Sequence, residues 1–230
     1  MSEGNEGGLS RESLLAAADR IKEFSTSNVS DALDRLRIRG GLEGILPISD
    51  GLKVCGIAFT VRWVTTDQTE RKPWPTYIDQ AKAGDVMVID NGGRMDCTVW
   101  GDLLTSRAQK AGVRGTVING VCRDVKQIRE LGYAVFSRGR FMMTGKDRLQ
   151  LDSVNTPVSI SDVLISPGDL VLADDNGVVC IPQTKVDGVL RALDEIGMRE
   201  ARIMEAINKG VPLTEAREQF GYGELQRPKD

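Results

Sequence analysis

The stretch DVMVID at residues 85–90 is a short apolar run, and it predicts a buried β-strand. A second run, GTVINGV at 115–121, follows a helical pattern over 102–111. A third strand is predicted over 133–137, after a helical pattern over 124–131. Because short helices alternate with these strands, the stretch predicts an α/β unit whose strands are at least partly parallel.

The segments on either side of this unit extend the fold without dividing it. The elements predicted there are helices over 10–24 and after Ser27 or Ser30, a strand over 51–65, a short helix over 75–83, several short strands within 154–181, and helices over 185–209 and 213–220. Within the unit itself, a loop is predicted at Asn91-Gly92-Gly93. The turn sequence at 175–177 predicts a hairpin between its flanking strands. We expect a flexible tail over residues 1–9 and a single domain over 10–230.

The composition of the 230-residue chain narrows the class of protein. Apolar residues make up 40% of it, but no apolar run approaches the roughly 20 residues that a membrane span needs. The net charge of −3 argues against a broadly basic nucleic-acid face. The amino terminus is acidic and rich in glycine, unlike a secretory signal. The four cysteines form no CxxC pair, and we expect them to be reduced thiols in a cytoplasmic protein.

The chain contains no histidine. This excludes Ser-His-Asp and Cys-His catalysis, histidine-ligated zinc and imidazole acid/base chemistry. A metal ion would have to be held mainly by oxygen or thiolate ligands. Proton transfer would have to use carboxylate, lysine, tyrosine, cysteine or a bound water.

Two acidic residues stand at predicted helix starts that follow strands. Asp102 follows Gly101, and its helix start offers backbone N–H groups to a small anion. Asp124 follows Arg123 at the end of the next strand, where ligands bind in α/β sheets. Each acid could instead be a simple helix cap. If the strands are neighbours, the two carboxylates and Arg123 meet, and such a set favours Mg²⁺ or Mn²⁺ over zinc.

A third carboxylate, Glu200, falls on the apolar stripe of the long helix predicted over 185–209. The stripe consists of Val186, Val189, Leu190, Leu193, Ile196, Met204 and Ile207. A carboxylate on such a stripe must be paired, linked to a metal or directed into an aqueous site. The alternative is that this end of the helix leaves the core, so that Glu200 faces solvent.

The pattern Gly101-Asp102, twenty residues, Arg123-Asp124 resembles the D-x20-R-D element of the RraA-like family. It is similar to the branch of class II aldolases that cleave 4-hydroxy-4-methyl-2-oxoglutarate and 4-carboxy-4-hydroxy-2-oxoadipate. The similarity runs through residues 25–210. The resemblance implies a compact, layered α/β/β fold with N-terminal helices and a long C-terminal helix, assembled as a trimer or a dimer of trimers.

The resemblance also implies a site and an activity. Mg²⁺ or Mn²⁺ would bind Asp124, with Asp102 acting through a water and a glutamate of a neighbouring subunit in the outer shell. Glu200 is the best match for that glutamate, and Glu195 and Glu205 are alternatives. Arg123 would bind the keto oxygen of a pyruvate unit. Gly101 and the backbone amides of Leu103 and Leu104 would bind the carboxylate of that pyruvate unit.

The implied reaction is retro-aldol cleavage of a 4-hydroxy-2-oxo acid to pyruvate and a second oxo acid. Oxaloacetate decarboxylation should accompany it, because both reactions form the same enolate. The implied partners are a small 2-oxo acid and further copies of the chain, without nucleic acid or membrane. The alternative within the wider family is an RraA-type regulator that binds an endoribonuclease and catalyses nothing.

Overall fold

The computed structural model describes residues 9–66 and 75–224. Its helices are α1 (Arg11–Ile21), α2 (Thr26–Arg35), α3 (Asp102–Lys110), α4 (Val125–Glu130), α5 (Val186–Asn208) and α6 (Leu213–Gln219). Its strands are β1 (Leu46–Pro47), β2 (Val54–Thr65), β3 (Asp85–Thr98), β4 (Gly115–Cys122), β5 (Val135–Arg140), β6 (Leu149–Val154), β7 (Val158–Ile160), β8 (Val163–Ile165), β9 (Leu170–Asp174) and β10 (Gly177–Ile181). Except for Leu9, the predicted tail lies outside the described residues.

The main sheet has the strand order β1-β5-β4-β3-β2-β9-β10, and β6 also pairs with β2. Strands β2, β3, β4 and β5 run parallel to one another, which confirms the predicted parallel unit. The strands β1, β6, β9 and β10 pair antiparallel, and the sheet curls into a nearly closed barrel. The β7–β8 hairpin forms a separate small sheet.

Three apolar clusters hold the layers together. Two lie on the outer face of the curled sheet and one lies inside it. Helices α1, α2 and α5 cover one part of the outer face, where Ile21 and Ile196 are fully buried. Helices α3 and α4 cover another part, with Ile128 at its centre. The inside of the barrel is filled by residues such as Val88 and Phe136. The structure is thus a mixed α/β fold with a long C-terminal helix, as expected.

The predicted loop at Asn91-Gly92-Gly93 is wrong, because β3 continues through it to Thr98. Its register against β4 shifts between Asp90 and Arg94 and again between Arg94 and Thr98. Such bulges absorb extra residues in a strand, and the positive φ angles of Gly92 and Gly93 suit them. The extended strand brings Thr98 beside Val121 of β4, so the segments that follow both strands begin side by side.

The start of α2 also differs from the prediction of Ser27 or Ser30 as its cap. Ser25 is the N-cap and forms a capping box with Asn28. The helix begins earlier because the buried carboxylate of Asp174 accepts hydrogen bonds from the amide and hydroxyl of Thr26, at 2.8 and 2.6 Å. A partner 148 residues away is not visible in the local sequence.

The carboxy-terminal third follows the prediction more closely. Strands β9 and β10 form the expected hairpin, with Asp174 paired to Gly177 across the turn. The long amphipathic helix is α5, and the short one after it is α6.

The short helix predicted over 75–83 is only a 3₁₀ turn at Tyr77–Gln80.

Candidate active site

The residues singled out at the two helix starts meet in one cleft at the carboxyl ends of β3 and β4. Asp102 is the first residue of α3, and Arg123 and Asp124 connect β4 to α4. The cavity between them has a volume of about 200 Å³. It is lined by Pro75, Thr76, Ile78, Thr98, Val99, Trp100, Gly101, Asp102, Leu103, Leu104, Arg123, Asp124, Thr144 and Lys146.

Asp124 occupies the N-cap position of α4, but its side chain does not cap that helix. Its Oδ2 atom instead accepts a hydrogen bond from the backbone N–H of Asp102, at 3.3 Å. The carboxylate therefore lies at the positive end of α3, on the opposite side of the cleft. The backbone of Asp124 is left-handed, with φ 56° and ψ 36°, a conformation that costs a non-glycine residue about 1 kcal/mol or more.

Asp102 is not the cap of α3 either, since Gly101 holds that position. The Asp102 carboxylate accepts a hydrogen bond from the N–H of Leu103, at 2.8 Å. Within the described ranges the N–H of Leu104 has no hydrogen-bond partner. Of the two amides predicted to bind a carboxylate, the structure therefore leaves Leu104 available and engages Leu103.

At position 101 the space around the residue, and not the backbone conformation, favours glycine. The φ of −153° is accessible to any residue. A Cβ atom there would collide with Oδ2 of Asp124 and lie 3.3 Å from Nε of Arg123. The missing side chain lets both functional groups approach the start of α3.

Arg123 brings positive charge to the cleft. Its side chain is 37% exposed, and Nε lies 3.3 Å from Oδ2 of Asp124. Its backbone N–H donates to the carbonyl of Trp100, at 3.1 Å, which fixes the end of β4 against the segment that leads into α3. The Trp100 ring is buried, and Nε1 donates to the hydroxyl of Thr105 at 2.9 Å.

Several residues of the cleft were not predicted from the sequence. Thr144 and Lys146 come from the segment after β5, and Pro75 and Ile78 come from the segment before β3. Neither segment carries a motif. The parallel bridge between Thr98 and Thr144 brings the first of them to the cleft.

Glu200 does not line this cleft in its own chain. It is half-buried on α5, and its Oε2 atom accepts a hydrogen bond from Nδ2 of Asn28, at 2.8 Å. This agrees with the expectation that a carboxylate on the stripe is paired. Met204 does not belong to the stripe as predicted, since it is 58% exposed and Ile203 is buried instead.

The two other candidate glutamates also have partners within the chain. Arg35 donates to Glu195 at 2.5 Å, and Lys209 donates to Glu205 at 2.6 Å. The hydrogen bond from Lys209 lowers the pKa of Glu205. Which glutamate serves a neighbouring subunit therefore stays a prediction.

The donor set of the cleft suits a hard divalent cation. The described ranges 9–66 and 75–224 hold no cluster of three or more His, Cys, Asp or Glu side chains. Mg²⁺ commonly takes only one or two protein carboxylates and completes its shell with water and substrate oxygens, which fits Asp102 and Asp124. Thiolate ligation at this edge is disfavoured, because burial raises the pKa of Cys122.

Within the described part of the chain, no helix is both long and apolar enough to cross a membrane.

The fold and the cleft together define a mixed α/β protein with a two-carboxylate, one-arginine site at the carboxyl ends of parallel strands. Residues 26–180 match the family model RraA-like, described as Aldolase/RraA. The match covers more than half of the chain, and the protein belongs to this family.

Two relatives show the range of names in the family. Protein DlpA of Legionella pneumophila is 42% identical over 200 residues, which cover 86% of this chain and 32% of DlpA. The chain thus spans about a third of that relative's length. A protein of Halalkalibacterium halodurans, provisionally named a 4-hydroxy-4-methyl-2-oxoglutarate aldolase, is 33% identical across 76% of this chain and 82% of its own.

Solved structures agree with the fold. An uncharacterised protein of Pseudomonas syringae is 42% identical, with a TM-score of 0.81 over 88% of this chain and 96% of its own. Streptomyces coelicolor RraAS2, described as an unusual member of the RNase ES inhibitor RraA protein family, is 26% identical, with a TM-score of 0.73. It covers 81% of this chain and 94% of its own.

Proposed function

We propose that the protein is a divalent-metal-dependent carbon–carbon lyase that cleaves a 4-hydroxy-2-oxo di- or tricarboxylic acid to pyruvate and a second oxo acid. The observation that carries this proposal is the shared cleft of Asp102, Arg123, Asp124 and the start of α3. The carboxylate of Asp124 lies at the N-terminus of α3, beside Arg123, and does not cap its own helix α4. Relatives with aldolase names support the same class of reaction.

The cleft would hold Mg²⁺ or Mn²⁺ through Asp124, with Asp102 acting through a water. When bound, such an ion would act as a Lewis acid and stabilise the charge that develops on the pyruvate enolate. Asp124 suits this role because one of its oxygens is already oriented by the N–H of Asp102.

The chain's own groups supply the rest of the chemistry. The N–H of Leu104, and that of Leu103 once Asp102 releases it, bind the substrate carboxylate at the positive end of α3. The 4-hydroxyl proton passes through a bound water to a carboxylate oxygen of Asp102. The bond between C3 and C4 then breaks: its electron pair forms the enolate, the 4-hydroxyl oxygen becomes the carbonyl of the second oxo acid, and the guanidinium of Arg123 stabilises the enolate oxygen. The proton taken up by Asp102 returns through the water to C3 of the enolate, which gives pyruvate.

Loss of CO₂ from oxaloacetate forms the same enolate, so we propose decarboxylase activity as well. Lys146 and the apolar residue Ile78 both line the cleft. The ammonium of Lys146 is suited to a second carboxylate at the far end of the substrate. This supports a di- or tricarboxylic 2-oxo acid as the substrate.

Removal of divalent cations should abolish activity. The measurement is pyruvate release from 4-hydroxy-2-oxo acids and from oxaloacetate, before and after exhaustive treatment with EDTA and after addition of Mg²⁺ or Mn²⁺. Full activity without metal, or a substrate trapped on a lysine by borohydride, would contradict the proposed class. An RraA-type regulator is expected to release no pyruvate from any of these acids with either metal.

Gly101→Ala should reduce pyruvate release by about 100-fold, because a misplacement of about 1 Å at a reacting centre has effects of that size. The added methyl group displaces Asp124 and Arg123 together. Gly41→Ala is the matched control, since a Cβ atom there meets nothing within 4 Å. Steady-state kinetics of both variants test this. Equal activity of the two would show that the close packing around Gly101 is not needed for turnover.

We further propose a trimer or a dimer of trimers in which Glu200 of one subunit serves the metal site of its neighbour. The partly exposed position of Glu200 on α5, away from its own cleft, is compatible with this role. Glu200→Ala should lower turnover and leave the oligomer intact.

Co-expression of the Glu200→Ala and Asp124→Ala chains should restore partial activity, because some sites then receive both residues from different chains. Activity and oligomer mass are measured on the purified mixed assembly. If Glu200→Ala lowers the melting temperature without lowering turnover, the role of Glu200 is its stabilising hydrogen bond with Asn28. The proposal of a shared site is then wrong.

A further inference from the structure

Thr98, the last residue of β3, lies at the junction of the segments that build the cleft. Its side chain is 3% exposed. Its hydroxyl lies 2.7 Å from the carbonyl oxygen of Val121 and 3.0 Å from that of Trp100, and it accepts a hydrogen bond from the N–H of Trp100 at 3.1 Å. One small polar group thus joins the segment that leads to Asp102 with the strand end that leads to Asp124.

The backbone of Thr98 attaches a third segment to the same point. Its N–H donates to the carbonyl of Met143, at 2.9 Å, and its carbonyl accepts from the N–H of Gly145, at 2.8 Å. Between these residues lies Thr144, and just beyond them lies Lys146, both of which line the cleft. Thr144 and Lys146, two cleft residues that no motif predicts, are therefore held by the same threonine.

The hydroxyl has a single proton, and its shorter contact is with Val121. The carbonyl of Trp100 accepts a hydrogen bond from the N–H of Arg123. Each of these groups is buried between two strand ends, where a lost hydrogen bond cannot be replaced by bulk water. Without the hydroxyl, the segments that carry Asp102 and Asp124 lose the bond to the Val121 carbonyl, and the bond from the N–H of Arg123 to the carbonyl of Trp100 is left to hold them together.

We infer that Thr98 is a positioning residue, whose buried hydroxyl helps to set the separation of Asp102 and Asp124 and thereby the affinity of the cleft for a divalent cation. The inference rests on the proposed function and adds a residue to it. Groups that orient metal ligands typically change metal affinity or activity by about 10- to 100-fold when they are removed. We expect a change of that size for Thr98→Val, which keeps the shape of the side chain and removes the hydroxyl.

A purely structural role would lower stability without changing metal binding, and Thr60 provides the matched control. Thr60 is also fully buried, and its hydroxyl donates to the carbonyl of Thr156 at 2.5 Å, outside the cleft. Thr60→Val should lower the melting temperature and leave Mn²⁺ affinity unchanged. Thr98→Ser, which retains the hydroxyl, should bind Mn²⁺ as the wild type does.

The experiment measures the Mn²⁺ dissociation constant by electron paramagnetic resonance, together with kcat, KM and the melting temperature, for the full-length chain and each variant. Support for the inference is a weaker Mn²⁺ affinity and a lower kcat in Thr98→Val, with neither effect in Thr60→Val or Thr98→Ser. Thr98→Cys, of similar size and with a weaker donor, replaces the valine variant if that variant does not fold.

Two results would overturn the inference. One is wild-type Mn²⁺ affinity in Thr98→Val or Thr98→Cys, and the other is an equal loss in Thr98→Ser, which would implicate the methyl group. The wild-type protein separates this failure from failure of the proposed function. If the wild type binds Mn²⁺ and releases pyruvate while the variants match it, only the role of Thr98 is wrong. If the wild type does neither, the proposed function is wrong as well.

Discussion

Replacement of Asp124 is expected to reduce pyruvate release to background and to remove Mn²⁺ binding at the same time. Asp124→Asn keeps the size of the side chain and tolerates the left-handed backbone, so it isolates the loss of charge. A neutral amide is a much weaker ligand for Mg²⁺ or Mn²⁺ than a carboxylate is. Steady-state kinetics and Mn²⁺ titration of the same preparation test whether both properties disappear together.

Two further substitutions at this position separate the metal from the backbone. Asp124→Ala places an ordinary residue at φ 56°, whereas Asp124→Gly removes the conflict between Cβ and the backbone. We expect the glycine variant to be more stable than the alanine variant by about 1 kcal/mol, although both are inactive. The measurement is the free energy of unfolding in urea. Turnover near the wild-type rate in Asp124→Asn, or a less stable glycine variant, would contradict the assignment.

Arg123→Ala is expected to lower kcat by about 10²- to 10³-fold, the usual cost of losing one oxyanion donor. Metal binding should be retained or tightened, because the substitution removes a cation whose Nε lies 3.3 Å from Oδ2 of Asp124. A loss of turnover without a loss of metal binding distinguishes Arg123 from a metal ligand.

Arg107→Ala is the control for this prediction. Arg107 is an exposed arginine on α3 that pairs with Asp79, away from the cleft. It should leave kcat unchanged, since surface ion pairs of this kind contribute little. If Arg123→Ala cleaves the substrate at a rate close to the wild-type rate, its role at the enolate oxygen is wrong.

The sequence located the cleft through residues that lie close together in the chain. Asp102 and Asp124 each follow a strand, and helix starts after parallel strands lie on the same edge of a sheet. The alternative of ordinary helix capping could not be resolved from sequence. Capping depends on whether a side chain faces its own helix or another one, and Asp124 faces the start of α3 across 22 residues of sequence.

The residues missed from the sequence share a physical reason. Ser25 caps α2 because Asp174 anchors Thr26, and Lys146 lines the cleft because Thr98 bonds to the segment before it. Both arrangements depend on hydrogen bonds between distant segments. No local propensity or periodicity reports such contacts, so neither could be predicted.

The sequence by itself determined the alternation of strands and helices, the absence of imidazole chemistry and the pairing of two acids with an arginine. These follow from periodicity and residue type, which are local properties of the chain. Only the tertiary structure decided that Asp124 adopts a left-handed backbone, that Gly101 leaves room for its carboxylate and that Thr98 ties three segments together. Those features arise from the packing of strand ends, because a single atom's position there depends on every segment that contacts it.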